Sequence, residues 1–262
     1  MSAPRGATGL AALLVSLAAC AAPPRVDPPW RPLHPDAAPS TEDWQAARAA
    51  LRTLRVATGS PRTLKLGLTL REPLSGRVLT ARGAAAIKPP DALRMILLGP
   101  GGTTALDLWI HGDAYRFAIP AIGLRKRGDA ATPAVERRGL PVDFLRFWLL
   151  RPAEGALLWA ERERAPDAQR FLLRDGPALV DLRSFEHQRI EARRSTWSSD
   201  LPGEPPHLLD VETVRASALG CGEVHYHQAS TGLDVTVQCE GEEKAPPNPQ
   251  AFVDPDAAAE DP

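Results

Sequence analysis

Leu64, Leu66, Leu68 and Leu70 alternate with Lys65, Gly67, Thr69 and Arg71, and no other feature restricts the fold as tightly. Successive side chains of a strand point to opposite faces, so this spacing puts four leucines on one side and polar or small groups on the other. The same period of two recurs at Leu79 to Ile87, Leu93 to Leu98, Leu106 to Ile110, and through Tyr115, Phe117 and Ile119. Glycine and proline separate the runs, at Lys88-Pro89-Pro90-Asp91, Gly99-Pro100-Gly101-Gly102 and His111-Gly112-Asp113. Short runs punctuated in this way predict an antiparallel meander. Beyond Pro152 further strands are predicted at Leu157 to Arg162, Phe171 to Arg174, Leu179 to Ser184, His187 to Arg193 and Leu208 to Arg215, followed by a final hairpin.

Two helices interrupt this pattern. Ser40 with Asp43 three residues on is a helix-start signal, and Trp44, Ala47, Leu51 and Leu54 follow at helical spacing up to Ala57. A second helix is predicted from Pro141 to Leu150, where proline suits the first position and Phe144, Leu145, Phe147, Trp148 and Leu149 form a bulky apolar turn. The fold class expected is α+β: one strongly curved antiparallel sheet, an incomplete barrel of about eleven strands, with helices on its concave face. An apolar concavity that two helices do not fill is a place for a hydrophobic ligand.

The ends of the chain read differently. Arg5 precedes an apolar run from Gly9 to Ala19, which is too short to span a bilayer, and Leu17-Ala18-Ala19-Cys20 follows. This resembles a bacterial lipobox, which implies a signal peptide over residues 1–19 and acylation (a palmitate-type anchor) of Cys20. Ala21 after the cysteine implies sorting to the outer membrane, facing the periplasm. Residues 20–39 are the expected tether, and its proline-dense stretch from Pro23 to Pro39 predicts an extended spacer about 50 Å long at ~3.1 Å per residue. The folded domain is expected over residues 40–239, and the acidic, proline-containing stretch 240–262 is expected to lack order.

The net charge is −1, with signs mixed along the chain, which excludes the broad basic field that nucleic acid needs. The final hairpin holds two of the three cysteines. With Ala229-Ser230-Thr231 as its loop, Cys221 falls opposite Cys239, His225 opposite Val235 and His227 opposite Leu233, and facing residues lie within reach of a disulfide. The competing zinc site from Cys221, His225, His227 and Cys239 is disfavoured: along a strand Cys221 and His225 are roughly 13 Å apart. Ser195, Ser198 and Ser199 near Asp200 lack a nucleophile elbow, and Gly99-Pro100-Gly101-Gly102 lacks the lysine of a phosphate loop. Glu161, Glu163, Asp167 and Asp175 alternate with Arg162, Arg164, Arg170 and Arg174, as cross-strand pairs on a wet face would. The segment 121–138 reads as a surface loop, with Ile122 and Leu124 beside Arg125, Lys126 and Arg127 as a membrane-touching alternative. No enzyme and no cofactor are expected.

The order of elements resembles the LolA/LolB family of bacterial lipoprotein carriers and receptors. Gly83-Ala84-Ala85-Ala86-Ile87-Lys88-Pro89-Pro90-Asp91-Ala92-Leu93-Arg94-Met95-Ile96-Leu97 is similar to that family's strand, proline turn and strand, and Ala105-Leu106-Asp107-Leu108-Trp109-Ile110-His111-Gly112-Asp113 to the strand and turn that follow. The resemblance implies a half-barrel whose cavity holds acyl chains of a client lipoprotein. It makes Leu97, Leu106, Leu108, Ile110, Phe117, Ile119, Phe144 and Trp148 the expected wall and lid residues. The turn Pro100-Gly101-Gly102-Thr103 carries no protruding apolar residue of the kind the family's receptor has. Expected partners are a membrane through the N-terminal lipid, a hydrophobic ligand or lipoprotein acyl chains, and an envelope protein. The alternative is an assembly lipoprotein with a filled interior that presents a protein-binding surface.

Overall fold

A computed structural model describes residues 39–257 except 58, 72–75, 77, 138, 139, 152, 165, 166, 187, 188, 198–206 and 219. The expected leader, Cys20, the tether up to residue 38, Ser198, Ser199, Asp200 and residues 258–262 lie outside the described residues.

Helix α1 spans Thr41–Ala57. Its start is a reciprocal cap in which the Asp43 amide donates to Ser40 Oγ at 3.1 Å and the Ser40 amide donates to Asp43 Oδ2 at 3.2 Å. Ala47 and Leu51 are buried in the same core as the strands. At the other end Arg55 Nε donates to the Ala153 carbonyl at 2.9 Å, which ties the last turn to a distant part of the chain.

The strands are β1 (Arg62–Arg71), β2 (Val78–Lys88), β3 (Ala92–Leu98), β4 (Thr104–His111), β5 (Ala114–Ile119), β6 (Leu124–Gly128), β7 (Ala156–Arg164), β8 (Asp167–Asp175), β9 (Ala178–Phe185), β10 (Ile190–Trp197), β11 (Leu208–Ala216), β12 (Glu223–Gln228) and β13 (Leu233–Glu242). They form one thirteen-stranded sheet in the order β6-β5-β4-β3-β2-β1-β13-β12-β11-β10-β9-β8-β7. Neighbours are sequential hairpins except at the centre, where β1 pairs antiparallel with β13 and joins the first half to the last. The sheet is open, with β6 and β7 as its edges.

That order explains the central helical segment. Strands β6 and β7 are consecutive in sequence but lie at opposite edges, so the chain between them must travel from one edge to the other. It does so through α2 (Ala134–Arg137), α3 (Val142–Leu145) and a π turn over Arg146–Leu150. Val142, Phe144, Leu145, Phe147, Trp148, Leu149 and Leu150 are buried in one cluster with the inward residues of the sheet. The helix predicted from Pro141 to Leu150 is present, with a π turn as its second half.

The structure corrects four expectations. The sheet has thirteen strands, not about eleven; β6 is missed because Leu-Arg-Lys-Arg-Gly reads as a polar loop, yet its backbone pairs with β5 from Leu124 to Gly128. The hairpin register is one residue off: Cα partners are His225 with Thr236 and His227 with Asp234. A one-residue slip exchanges the two faces, and the predicted pairing would have set histidines opposite the inward Val235 and Leu233. Strand β13 runs to Glu242, and residues 249–252 form a 3-10 turn, so disorder from residue 240 does not hold for residues 240–257. Lastly, Arg170 does pair across strands with Glu161 at 3.1 Å, but these side chains are 7% and 11% exposed, so that part of the face is shielded, not wet.

Candidate functional site

The inward face is apolar over β1, β3 and β4, which contribute alternate residues to it. Leu64, Leu66 and Leu68 of β1, Leu93, Met95 and Leu97 of β3, and Leu106, Leu108 and Ile110 of β4 are all buried. Most of this face is closely filled. Among the described residues it leaves an apolar cavity of about 90 Å³. Its wall is Leu68 and Leu70 of β1, Leu106 of β4, Phe117 and Ile119 of β5, Leu124 of β6, and Leu233 and Val235 of β13. Leu140, Pro141, Phe144 and Leu145 complete it from the helical segment. No polar side chain lines it, so it offers a guest only dispersion contact and removal from water, worth ~0.8 kcal/mol per buried methylene.

Of the expected wall and lid residues, Leu106, Phe117, Ile119 and Phe144 line this cavity. Leu97, Leu108, Ile110 and Trp148 do not; they are buried in the filled part of the core. The sequence reading missed the other eight lining residues, among them Leu70 and Val235, which face each other across the β1–β13 pairing. The alternation already placed Leu68 and Leu70 on the inward face, but nothing local says that a strand from the far end of the chain lies beside them.

Behind Phe144 the interior changes character. The Phe144 ring stacks on Tyr226 with centroids 4.0 Å apart and planes at 17°. The Tyr226 hydroxyl donates to Glu212 Oε1 at 2.9 Å, and Arg194 Nη1 donates to Glu212 Oε2 at 3.1 Å. Arg194 also lies 3.6 Å from Asp175. Burial pushes the Glu212 carboxyl above the usual carboxylate range, against the opposing pull of Arg194 and the Tyr226 hydroxyl. Burial likewise raises the Tyr226 hydroxyl, helped by the Glu212 charge. A void of about 10 Å³ is lined jointly by Phe144, Phe147, Arg194, Glu212 and Tyr226. The arrangement is a hydrogen-bonded brace between β10, β11 and β12, on which the aromatic ring of the helical segment rests.

Cys221 and Cys239 form the expected disulfide, with Cα atoms 5.1 Å apart. Their sulfurs are thereby joined to each other, which removes both thiolates from the competing zinc site. His225 lies 2.6 Å from Glu223 and His227 lies 2.7 Å from Asp234, local pairs on the outer face. The basic stretch expected as a loop or membrane contact is edge strand β6, and Arg125 and Arg127 are paired with Asp254 and Asp256 of the C-terminal segment. Among the described residues no helix is long and apolar enough to cross a membrane.

A single open antiparallel sheet whose edge-to-edge connection carries a buried helical segment has counterparts among solved structures. A LolA superfamily protein from Nitrosomonas europaea matches with a TM-score of 0.50 at 12% identity, over 79% of this chain and 97% of that one. The fold is LolA-like. A domain named for outer membrane lipoprotein sorting from Vibrio parahaemolyticus (TM-score 0.44, 10% identity, 79% and 97% covered) is more distant. So is a protein from a family of unknown function in Desulfovibrio piger (TM-score 0.45, 11% identity, 81% and 98% covered). No protein-family model matches the sequence, and no curated protein matches it. In the LolA-like sheet the apolar gap lies between the helical segment and the strands on either side of the β1–β13 junction.

Proposed function

We propose that this chain is an envelope lipoprotein that binds a hydrophobic ligand, such as the acyl chains of lipoproteins, between the inner face of its half-barrel and the helical segment that covers it. The observation that carries this reading is the wholly apolar cavity behind Phe144, bounded on one side by residues of a separate helical segment. Its size is a constraint. At about 90 Å³ it is smaller than the ~150 Å³ apolar cavity that accepts benzene and far below the ~300–1,000 Å³ of drug-sized sites. The form described is therefore a closed one, and an acyl chain enters only as residues 140–145 move away from the sheet. The signal peptide at 1–19 and acylation of Cys20 would place the protein on the outer membrane, facing the periplasm.

The nearly filled interior favours a second reading, an assembly lipoprotein that works through its surface. Native mass spectrometry of the chain isolated from a bacterial envelope separates the two. The carrier reading expects a co-purifying acylated species that is lost in Leu124→Glu, a change at a half-buried edge position that lines the cavity. A bare chain that stays bare when diacyl lipid is added would leave the surface reading.

A further inference from the structure

The outer face of β3, β4, β5 and β6 carries a basic row that the proposed ligand site does not use. Arg94 and Arg116 flank Asp107, with Arg116 Nη1 2.8 Å from Asp107 Oδ2, and Arg125 and Arg127 extend the row onto the edge strand. Asp107 pairs with Arg94 and Arg116, whereas the carboxylates paired with Arg125 and Arg127 lie outside the sheet, so the sheet alone leaves this face positive.

The C-terminal segment completes it. After β13 the chain returns to this face, and Trp109 Nε1 donates to the Phe252 carbonyl at 3.0 Å. Asp256 accepts from Arg116 Nε at 3.1 Å and pairs with Arg125 at 2.5 Å and with Arg127. Asp254 also pairs with Arg127. Asn248 caps the 3-10 turn, accepting from the Gln250 amide at 3.0 Å, and the turn buries none of its own residues. The segment is thus held by an indole N–H on a peptide carbonyl and by arginines on two carboxylates spaced two residues apart. It contributes no apolar plug to the core.

We propose that this face is a docking seat for an acidic peptide of a partner protein, and that residues 249–256 occupy it in cis as a tethered competitor. The partner's chemistry follows from the bound segment: a carbonyl for Trp109, then two carboxylates in alternate positions for Arg116, Arg125 and Arg127. A lipid head group matches the charge but supplies neither the peptide carbonyl nor that spacing. Release is feasible because Arg125 and Arg127 remain 57% and 43% exposed while paired, and pairs at that exposure are weak and screened by salt. What keeps the seat filled is tethering, which gives a short linked segment an effective concentration near millimolar.

The test uses the full chain and a fluorescent synthetic peptide with the sequence of residues 246–257. Asp254→Asn with Asp256→Asn should open the seat, so that this variant binds the peptide about tenfold or more tighter than the unsubstituted chain by fluorescence anisotropy, with affinity falling steeply as salt is raised. Adding Arg127→Gln to the same variant should remove the binding, with circular dichroism reporting intact strands. Equal affinity of the open and unsubstituted chains would overturn the proposal, as would binding that survives Arg127→Gln. Affinity of the open variant for phosphatidylglycerol vesicles without affinity for the peptide would overturn it in favour of a lipid surface.

Discussion

Phe144 and Tyr226 lie nearly parallel with their ring centroids 4.0 Å apart, and Phe144 borders both the apolar cavity and the small void beside the buried Arg194–Glu212 brace. The ring belongs to the segment that joins the two sheet edges, whereas the tyrosine belongs to β12, so the contact fixes how that segment sits on the sheet.

Phe144→Ala should join the cavity and the smaller void into one space. The cost is that of a large-to-small change in a packed core, about 3–5 kcal/mol, read by chemical denaturation. In the folded variant a fluorescent acyl probe should bind more strongly than in the unsubstituted chain. A loss under about 1 kcal/mol with unchanged probe binding would mean that the ring is not a septum.

Arg170→Met tests the shielded charge cluster on the outer face of the second half of the sheet. Arg170 makes two parallel bonds to Asp181, at 2.9 and 2.7 Å, and a third to Glu161 at 3.1 Å. Removing the cation strands carboxylates that are largely out of water, which should cost about 3–5 kcal/mol. Adding Asp181→Leu should recover part of that loss, because one stranded charge is then gone. Thermal unfolding of the single and double variants checks both outcomes.

Replacing Cys221 and Cys239 with serine removes a link that spans 18 residues. Loop-closure entropy assigns such a link about 3 kcal/mol, so denaturation midpoints of the oxidised and serine forms should differ accordingly. A reducing agent should lower the midpoint of the unsubstituted chain and leave that of the serine form unchanged.

The C-terminal contact should fail in acid. Arg127 holds the Asp254 carboxyl below the usual range; burial opposes the same effect at Asp256, but Arg125, Arg127 and Arg116 outweigh it. Both folded values therefore lie under the unfolded value of ~3.9, and the unfolded chain takes up protons first as pH falls. The contact's contribution is complete above about pH 4 and is lost as pH drops through the folded values. Trp109 fluorescence should report a step there that the Asp254→Asn, Asp256→Asn chain lacks; an identical titration of both chains would refute it.

The sequence by itself determined most of the elements and, outside the final hairpin, the faces of the predicted strands. Alternating leucines in β1, the Ser40–Asp43 cap and the disulfide between Cys221 and Cys239 rest on neighbours along the chain or within one hairpin, where period and turn chemistry decide the outcome. Tertiary structure decided what those faces meet. Leu70 acquires Val235 only because β1 pairs with β13, and Leu97, Leu108 and Ile110 belong to the packed core while Leu124 borders the gap, a distinction that inward-facing alternation cannot make. Strand β6 and residues 249–256 were illegible for the same reason. Their order comes from pairing with β5 and from arginine–aspartate contacts between distant parts of the chain, and a polar segment bears no periodic mark of a partner that folding alone brings to it.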